Sequence, residues 1–360
     1  MNHSAYFERF LEKINLPSAK REKIVSAHNL LRSYLKEYST IEKIYHDDYL
    51  QGSYKIKVMI KPLDGDEFDV DIIFEFDLIK DGEMMTPDQI MDKIIYALNQ
   101  NEKYKGKIEK KHRCVRVIFS EGFHIDIVPA HYKVEDYEGE SVVYIPDRME
   151  DDWDDVAPDG WSRTNPKGYA RWFEEKCSDS DGLLRDTVKL FKWWVKNKFG
   201  VSSKVKSIII STAVAQHFNK SDGKIENAFL ETLRNIKKWV DDAGDNIMLK
   251  NPAFEEENFT RDWSEESLRI FKSKISTAID RAEKALKASS DENAVDYWRE
   301  IFGDLFPSVE AMKSYLRAEN LKEAAIKIAS TSSFVSPSGQ VNFEKGIPVK
   351  PTKFHGEDLQ

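Results

Sequence analysis

The sequence predicts an α+β fold in which a mixed, twisted sheet is followed by a C-terminal helical lobe, with a cleft between them. Strand-like alternation is concentrated between residues 49 and 145, whereas strand patterns all but vanish after about residue 176 and helical spacing takes over. The 360 residues are enough for a large core and for two lobes. We therefore expect a helical segment at residues 1–45, a catalytic core at 46–176, a helical lobe at 177–330 and an extended or disordered tail at 331–360.

The helices have local start signals. Apolar residues at helical spacing predict one helix over residues 18–38, within a segment that packs along both lobes. Thr86-Pro87-Asp88-Gln89 is a capping box that begins a helix ending near Asn99, and Asn165-Pro166 caps another. Further helices are predicted at residues 183–198, 206–218, 224–240, 264–288, 291–302 and 308–328, and further strands at 107–119, 123–129 and 142–145.

Three aspartates are placed by strand alternation. From Phe68 to Phe76 the even positions are apolar, so Asp69 and Asp71 share the opposite face. Cys114 to Val128 has the pattern of a hairpin with its turn near Ser120-Glu121-Gly122, and Asp126 lies opposite to its apolar face. If these strands are neighbours, the three carboxylates converge. His124 shares the face of Asp126, which fits either a place near the site or a packing role.

Three converging carboxylates predict a metal site. Carboxylates that lie so close together would take up protons unless a cation neutralised them. Hard oxygen ligands of this kind suit Mg²⁺. Two such ions can clamp the attacking and leaving oxygens of a phosphoryl transfer. Gly52-Ser53 fits the same chemistry, because glycine allows a phosphate to approach the backbone and serine adds donors. Gly-Ser or Asp-x-Asp alone is a common pattern, but the ordered set is more specific.

The helix at residues 183–198 carries a basic stripe of Arg185, Lys189, Lys192 and Lys196. A charge stripe usually marks a solvated face. The alternative is that its centre faces a nucleotide triphosphate across the cleft. The residues themselves leave both interpretations open.

The ordered motifs resemble the DNA polymerase β-like nucleotidyltransferase superfamily, and within it the cGAS/DncV-like nucleotidyltransferases, or CD-NTases. The resemblance covers roughly residues 45–305. It is carried by these segments: Gln51-Gly52-Ser53-Tyr54, Phe68-Asp69-Val70-Asp71, His124-Ile125-Asp126-Ile127-Val128-Pro129-Ala130, Thr164-Asn165-Pro166-Lys167-Gly168-Tyr169-Ala170, Val188-Lys189-Leu190-Phe191-Lys192-Trp193-Trp194 and Lys206-Ser207.

The resemblance implies roles for individual residues. Asp69 and Asp71 would bind two Mg²⁺ ions, for which Mn²⁺ can substitute, and Asp126 would bind one ion and help to deprotonate the attacking ribose hydroxyl. The implied nucleotide-binding residues are Gln51, Gly52, Ser53, Lys192 and Ser207. Ile208 replaces an aromatic base-stacking residue of some relatives, so base selection must rely partly on other residues.

The function implied by the resemblance is synthesis of a cyclic di- or trinucleotide from nucleoside triphosphates, ATP included, in bacterial anti-phage (CBASS) signalling. The product would activate a separate effector, and a HORMA-type protein or ubiquitin-like conjugation would regulate the enzyme. Two alternatives stay open: linear oligoadenylate-type or terminal nucleotidyl transfer, and a nucleotide sensor that has lost catalysis. The latter conflicts with retention of all three aspartates and of Gly52-Ser53.

Composition is that of an ordinary globular protein, with 41% hydrophobic and 32% charged residues. The net charge of −9 disfavours a nucleic-acid polymer as substrate, because a protein that grips one usually has a basic surface. No apolar run is long enough to cross a bilayer, so we expect no membrane partner. Cys114 and Cys177 lack metal-ligand spacing and predict reduced thiols in a cytoplasmic protein.

Overall fold

The computed structural model describes residues 1–63, 67–80, 83–137, 140–147, 160–199, 205–244 and 247–330, and three short strands between residues 334 and 348. Contacts group Met1–Phe306 into one compact unit and Pro307–Gln360 into a second. The predicted segment boundaries at residues 45, 176 and 330 stay a prediction. None of the described helices combines the length and apolar composition needed to cross a bilayer. Cys114 and Cys177 are buried free thiols.

The chain begins with three helices: α1 (His3–Ile14), α2 (Ser18–Glu37) and α3 (Ser39–Glu42). The predicted helix over residues 18–38 is α2, and it buries Ile24, Leu31 and Leu35 as its spacing requires. These residues join the apolar cluster on one face of the sheet.

A seven-stranded mixed sheet follows the helices. Its strands are β1 (Tyr45–Gln51), β2 (Phe68–Phe76), β5 (Ile108–Lys110), β6 (Val115–Phe119), β7 (Phe123–Tyr137), β8 (Glu140–Pro146) and β9 (Trp161–Thr164), while β3 (Ile79–Lys80) and β4 (Glu83–Met84) form a separate ribbon. The order is β1-β2-β7-β6-β5, with β8 pairing β7 and β9 pairing β8. Among these described strands, β2 and β7 pair in parallel and the other pairs are antiparallel. The predicted hairpin is β6–β7.

Two helices complete the sheet lobe. The turn helix α4 (Gly52–Lys55) follows β1 directly, and α5 (Pro87–Asn99) covers the apolar face of the sheet. The predicted capping box is present at α5: the Thr86 hydroxyl accepts a hydrogen bond from the Gln89 amide, and the Gln89 side chain accepts one from the Thr86 amide.

The remainder of the first unit is mainly helical: α6 (Pro166–Cys177), α7 (Leu183–Phe199), α8 (Ser207–His217), α9 (Ile225–Asp242), α10 (Glu265–Leu286) and α11 (Asp291–Phe302). Asn165 caps α6 as predicted, its side chain accepting a hydrogen bond from the Gly168 amide. The helix α1 packs into this part of the unit, because the Phe7 ring meets Trp298 edge-on at 4.8 Å. The first and last helices of the unit are thereby joined.

One expectation about this region is wrong. Two strands, β10 (Lys250–Asn251) and β11 (Phe254–Asn258), form a hairpin well beyond residue 176. The hairpin escaped the sequence pattern because Phe254 is the only buried apolar side chain of β11 and three glutamates follow it. A local hydrogen bond from the Ala253 amide to the Asn251 side chain makes the turn.

The second unit contains α12 (Val309–Ser330) and a small sheet of β12 (Phe334–Val335), β13 (Val341–Asn342) and β14 (Ile347–Pro348). The helix matches the one predicted at residues 308–328. The predicted extended or disordered tail at residues 331–360 stays a prediction, since apart from these three strands its residues lie outside the described part of the chain.

Replacing Thr86 by alanine should lower the free energy of unfolding by about 1 kcal/mol, because the Gln89 amide loses its capping acceptor. Thr86→Ser keeps the hydroxyl and should stay close to the parent. Urea unfolding followed by circular dichroism measures both. Equal loss in the two variants would contradict a capping role for the hydroxyl.

Candidate active site

The parallel pairing of β2 with β7 brings the predicted carboxylates together. Asp71 pairs with Asp126 and Asp69 pairs with His124. Alternation along each strand keeps these side chains on the face away from the apolar cluster. One ligand atom each from Asp69, His124 and Asp126 lies within 4.8 Å of the others. The three aspartates thus converge as the sequence predicted, while their roles stay a prediction.

Asp71 is the aspartate of this cluster whose ionised form is least favoured by its surroundings. Part of its surface is open to a cavity, but its carboxyl is closely surrounded by protein. Burial raises its pKa well above the usual value, and the charges of Asp69 and Asp126 raise it further. Arg116 and Lys192 act in the opposite direction without compensating. A cation bound beside Asp71 would stabilise its ionised form.

Arg116 is a site residue that the sequence interpretation missed. It stands directly across from Asp126 in the β6–β7 pair. Its Nε donates to Asp126 Oδ1 at 2.8 Å and its Nη2 donates to Oδ2 at 2.7 Å, a bidentate ion pair. A hairpin centred on Glu121 pairs residues 116 and 126, so the predicted turn already contained this signal.

His124 lies beside the carboxylates, so of the two interpretations offered by the sequence, a place near the site describes it better than a packing role. Its Nε2 is 3.1 Å from Asp69 Oδ1 and its Nδ1 is 3.2 Å from Glu67 Oε2. Burial lowers its pKa, but the hydrogen bond and charge of Asp69 outweigh burial, so that the pKa is raised. A protonated His124 adds a second positive group at this edge of the site.

Gly52 and Ser53 are fixed against Asp71 by strand pairing. Gln51, the last residue of β1, pairs with Asp71, and Gly52 begins α4 with φ of +64°. A Cβ atom at Gly52 would overlap with Asp71 Oδ2. Glycine is therefore required both by its backbone conformation and by the carboxylate.

Lys192 is buried at 6% exposure, which decides against a solvated face for the centre of the basic stripe. Its Nζ donates to Ser53 Oγ at 2.7 Å and to the Val58 carbonyl at 3.0 Å. Burial, aided by Lys196, lowers its pKa to about 7 despite the opposing charges of Asp71 and Asp69. An anion at Ser53 would restore the charged form.

The outer members of the stripe have other partners. Arg185 forms an ion pair with Glu174 and donates from Nε to the Ile56 carbonyl at 3.3 Å. Lys189 pairs with Asp186, one turn away on its own helix, at 3.0 Å. Only Lys192 of these three contacts a predicted nucleotide-binding residue through the described hydrogen bonds.

A cavity of about 500 Å³ joins these elements. Its wall includes Gln51, Gly52, Ser53, Asp69, Asp71, Asp126 and Ser207. Ser207 is the first residue of α8, and Ile208 beside it also lines the cavity. Lys192 reaches the site from behind Ser53. The volume is within the range of small-ligand sites.

The wall also contains polar residues for which the sequence offered no signal. Arg113, Arg261 and Glu257 come from the segment before β6, the segment after β11 and β11 itself. They come from distant segments: β8 pairs β7, β9 pairs β8, and β11 of the hairpin that was not predicted contacts β9.

The donor set fits a divalent cation. The aspartate oxygens are hard ligands of the kind that Mg²⁺ and Mn²⁺ accept, and burial together with the charges of Asp69 and Asp126 raises the pKa of Asp71. The group whose ligand atoms converge is Asp69, His124 and Asp126, and Asp71 adjoins it as the register partner of Asp126.

Residues 1–177 match the SMODS family, the Second Messenger Oligonucleotide or Dinucleotide Synthetase domain. The chain is 26% identical over 346 residues to the cyclic AMP-AMP-AMP synthase of an Acinetobacter species, covering 91% of each protein. It is also 26% identical over 358 residues to the c-di-GMP synthase of Roseivirga ehrenbergii, covering 89% of this chain and 91% of the relative.

Solved structures agree at the level of the fold. The Bradyrhizobium diazoefficiens CD-NTase CdnG, solved with GTP, superposes with a TM-score of 0.69 at 19% identity over 88% of this chain and 99% of that one. The Vibrio cholerae di-nucleotide cyclase DncV, solved as a mutant in complex with ATP, GTP and 5MTHFGLU2, gives 0.68 at 14% identity over 86% and 97%. The predicted α+β, polymerase β-like fold is confirmed, and the SMODS match together with the relatives over about nine-tenths of the chain supports the predicted CD-NTase family of cGAS/DncV-like nucleotidyltransferases.

Proposed function

We propose that this chain joins nucleoside triphosphates, ATP among them, into a cyclic di- or trinucleotide and releases pyrophosphate. The observation that carries the proposal is the register of β1, β2 and β7, which sets Gln51 beside Asp71 and Asp71 beside Asp126. A phosphate-binding turn and a carboxylate cluster thereby share one cavity. The named activities of the Acinetobacter and Roseivirga relatives, which match over nearly their whole length, support cyclisation over a linear product.

Asp69, Asp71 and Asp126 would hold two Mg²⁺ ions, or Mn²⁺ in their place. Bound ions of this kind neutralise charge on the attacking and leaving oxygens of an in-line displacement. This assignment rests on the raised pKa of Asp71, because its buried carboxylate lacks sufficient positive charge nearby.

The remaining residues bind and orient the nucleotides. Gly52 and Ser53 would hold the triphosphate of one nucleotide, with Lys192 behind Ser53 and Ser207 in the same cavity wall. This places the α-phosphate near the carboxylates. Catalysis of this kind is mainly positioning and charge stabilisation.

The ribose hydroxyl oxygen of a second nucleotide would form a bond to the α-phosphorus. The bond from that phosphorus to the bridging α–β oxygen breaks, and pyrophosphate leaves with the electron pair. Asp126 takes the hydroxyl proton, and the bidentate pair with Arg116 keeps its carboxylate oriented. One or two further transfers close the ring.

The biological setting that we propose is cytoplasmic anti-phage signalling of the CBASS type, in which the product acts on a separate effector. A regulatory protein is part of the proposal, because a structural neighbour, Escherichia coli CdnC, has been solved in a CdnC:HORMA-deltaN complex. Ubiquitin-like conjugation is the other form of regulation that we propose.

A product assay tests the function. The protein is incubated with labelled nucleoside triphosphates, singly and in pairs, with Mg²⁺ or Mn²⁺, and phosphatase-treated products are identified by mass. A phosphatase-resistant species lacking one water relative to the linear oligomer supports the proposal. A linear product, or nucleotide binding without pyrophosphate release, contradicts it.

Asp71→Asn should reduce product formation by on the order of a thousandfold or more, because the variant loses charge needed in the transition state. Its thermal unfolding temperature should equal or exceed that of the parent, since a neutral amide relieves the repulsion from Asp69 and Asp126. Near-parental turnover by a folded Asp71→Asn protein would rule out the assigned site.

Gly52→Ala should abolish product formation, because the added methyl group displaces the Asp71 carboxylate. Gly106→Ala is the matched control: Gly106 also has a positive φ, +75°, but a Cβ there meets nothing within 4 Å. It should lose only about 1 kcal/mol of stability and keep its activity. Comparable activity loss in both variants would refute the specific clash at Asp71.

Nucleotide binding should be coupled to proton uptake at about pH 8. The pKa of Lys192 is about 7 in the free protein, so its amine is mostly neutral above that pH, and a triphosphate held at Ser53 favours the ammonium form. Calorimetry with a nonhydrolysable ATP analogue in two buffers of different ionisation enthalpy measures the uptake, which should shrink below about pH 7.

Lys192→Met should eliminate this proton uptake. Lys189→Met is the control from the same helix and should retain it, because Lys189 pairs with Asp186 instead of Ser53. Parental binding without proton uptake above the pKa of Lys192 would show that this lysine does not sense the triphosphate.

A further inference from the structure

We propose that Arg113, Arg261 and Glu257 recognise a nucleobase in this cavity and that the base is guanine. The inference rests on the proposed function and specifies one of its substrates. All three residues belong to the wall of the cavity that also contains the aspartates. They therefore face the same space as the reacting groups.

The two arginines are held together by one buried carboxylate. Asp147 is 1% exposed, and its Oδ1 accepts from Arg113 Nη2 at 2.7 Å and from Arg113 Nε at 3.2 Å. Its Oδ2 accepts from Arg261 Nη2 at 3.2 Å. His112 Nε2 lies 3.0 Å from Oδ1. The Nε–Nη2 edge of Arg113 is thereby fixed on Asp147, so its Nη1 group is what it can offer to a ligand.

Glu257 is fixed in a similar way from another strand. Its Oε2 accepts from Thr164 Oγ1 at 2.9 Å and from Asn251 Nδ2 at 2.8 Å. These bonds involve only one carboxylate oxygen, which leaves Oε1 as an acceptor for a ligand. Burial raises the pKa of Glu257, while its two hydrogen bonds and the charges of Arg113 and Arg261 oppose that rise. The arginines and Glu257 are thus close enough to act on one ligand.

The charge balance favours a base over a phosphate at this wall. The two arginines are offset by Asp147 and Glu257, and neighbouring Lys206 and Asp262 form an ion pair at 2.6 Å. A triphosphate would meet Glu257 without an excess of positive charge. A neutral base with both donors and acceptors suits such a mixed wall.

Guanine matches the pattern of these groups. Its N7 and O6 are adjacent acceptors for an arginine, and its N1–H and N2 amino groups are adjacent donors for a carboxylate. Adenine alternates donors and acceptors and offers neither adjacent pair. Phe259, partly exposed in the same wall, provides an aromatic surface on which a base can stack.

Base analogues test the assignment directly. Wild-type protein is given equal ATP, GTP and inosine triphosphate, which lacks the 2-amino group, and incorporation is read by mass. Binding of nonhydrolysable forms of the same nucleotides is measured in parallel by calorimetry. We expect guanine in the product and a preference of about tenfold for GTP over inosine triphosphate.

Glu257→Gln should remove most of that preference, because the amide oxygen must stay on the Asn251 Nδ2 donor and the amide nitrogen, itself a donor, then replaces Oε1 opposite the guanine donors. Glu256→Gln is the matched control: the neighbouring Glu256 is exposed, is paired with Arg163 and lies outside the cavity wall, so the preference should persist. Arg113→Lys keeps the charge near Asp147, but a single ammonium cannot replace the Nε–Nη2 edge on Asp147 and also supply the Nη1 group to the base, so it should weaken discrimination against 7-deaza-GTP.

The outcomes separate this inference from the proposed function. A product that contains no guanine, or an unchanged preference in Glu257→Gln, overturns the base assignment while synthesis itself stands. Nucleotides that bind but give no product overturn the proposed function and this inference with it. Loss of the preference in Glu257→Gln with retention in Glu256→Gln supports both.

Discussion

The site depends on one constraint, which is that the parallel pairing of β2 with β7 places like charges side by side. Asp71 and Asp126 are register partners, and Asp69 shares their face. The surrounding groups limit the resulting repulsion: Arg116 binds Asp126 through two hydrogen bonds and His124 approaches Asp69. These contacts leave Asp71 as the carboxylate that is least compensated.

Two other buried aspartates show how this chain compensates such charges. Asp147 is as deeply buried as any, yet ion pairs with Arg113 and Arg261 outweigh burial, so its pKa is lowered. Asp48 pairs with Arg32. Among the described residues, no cation forms an ion pair with Asp71, and its pKa is raised. Arginines of the chain itself thus neutralise Asp147 and Asp48, whereas Asp71 has no such partner among the described residues.

The sequence predicted what is encoded locally. Alternation placed Asp69 and Asp71 on one face, the hairpin turn placed Asp126, and capping signals at Thr86 and Asn165 located two helix starts. Each of these depends on neighbouring residues or on one turn. The centre of the hairpin also predicts that Arg116 pairs with Asp126, so the register of a short hairpin can identify cross-strand partners as well as strand faces.

What the sequence could not provide depends on packing between distant segments. The burial of Lys192 follows from how α7 packs behind Ser53, and no periodicity distinguishes it from Arg185 on the same stripe. Glu257 lies on a strand with one buried apolar residue, so its place in the cavity depends on a hairpin without an apolar pattern. The proposed base contacts were therefore harder to predict than the carboxylate cluster, which strand alternation places.

Gly52 connects the two halves of the proposed chemistry. The turn that would hold a phosphate follows β1 immediately, and β1 pairs with the strand that carries Asp71. The missing side chain lets the turn rest directly on the Asp71 carboxylate. A phosphate bound at Gly52-Ser53 is therefore kept within reach of any cation bound at Asp71, without a flexible side chain between them. In the proposed function, strand register, rather than loop flexibility, would set the relative position of substrate and metal.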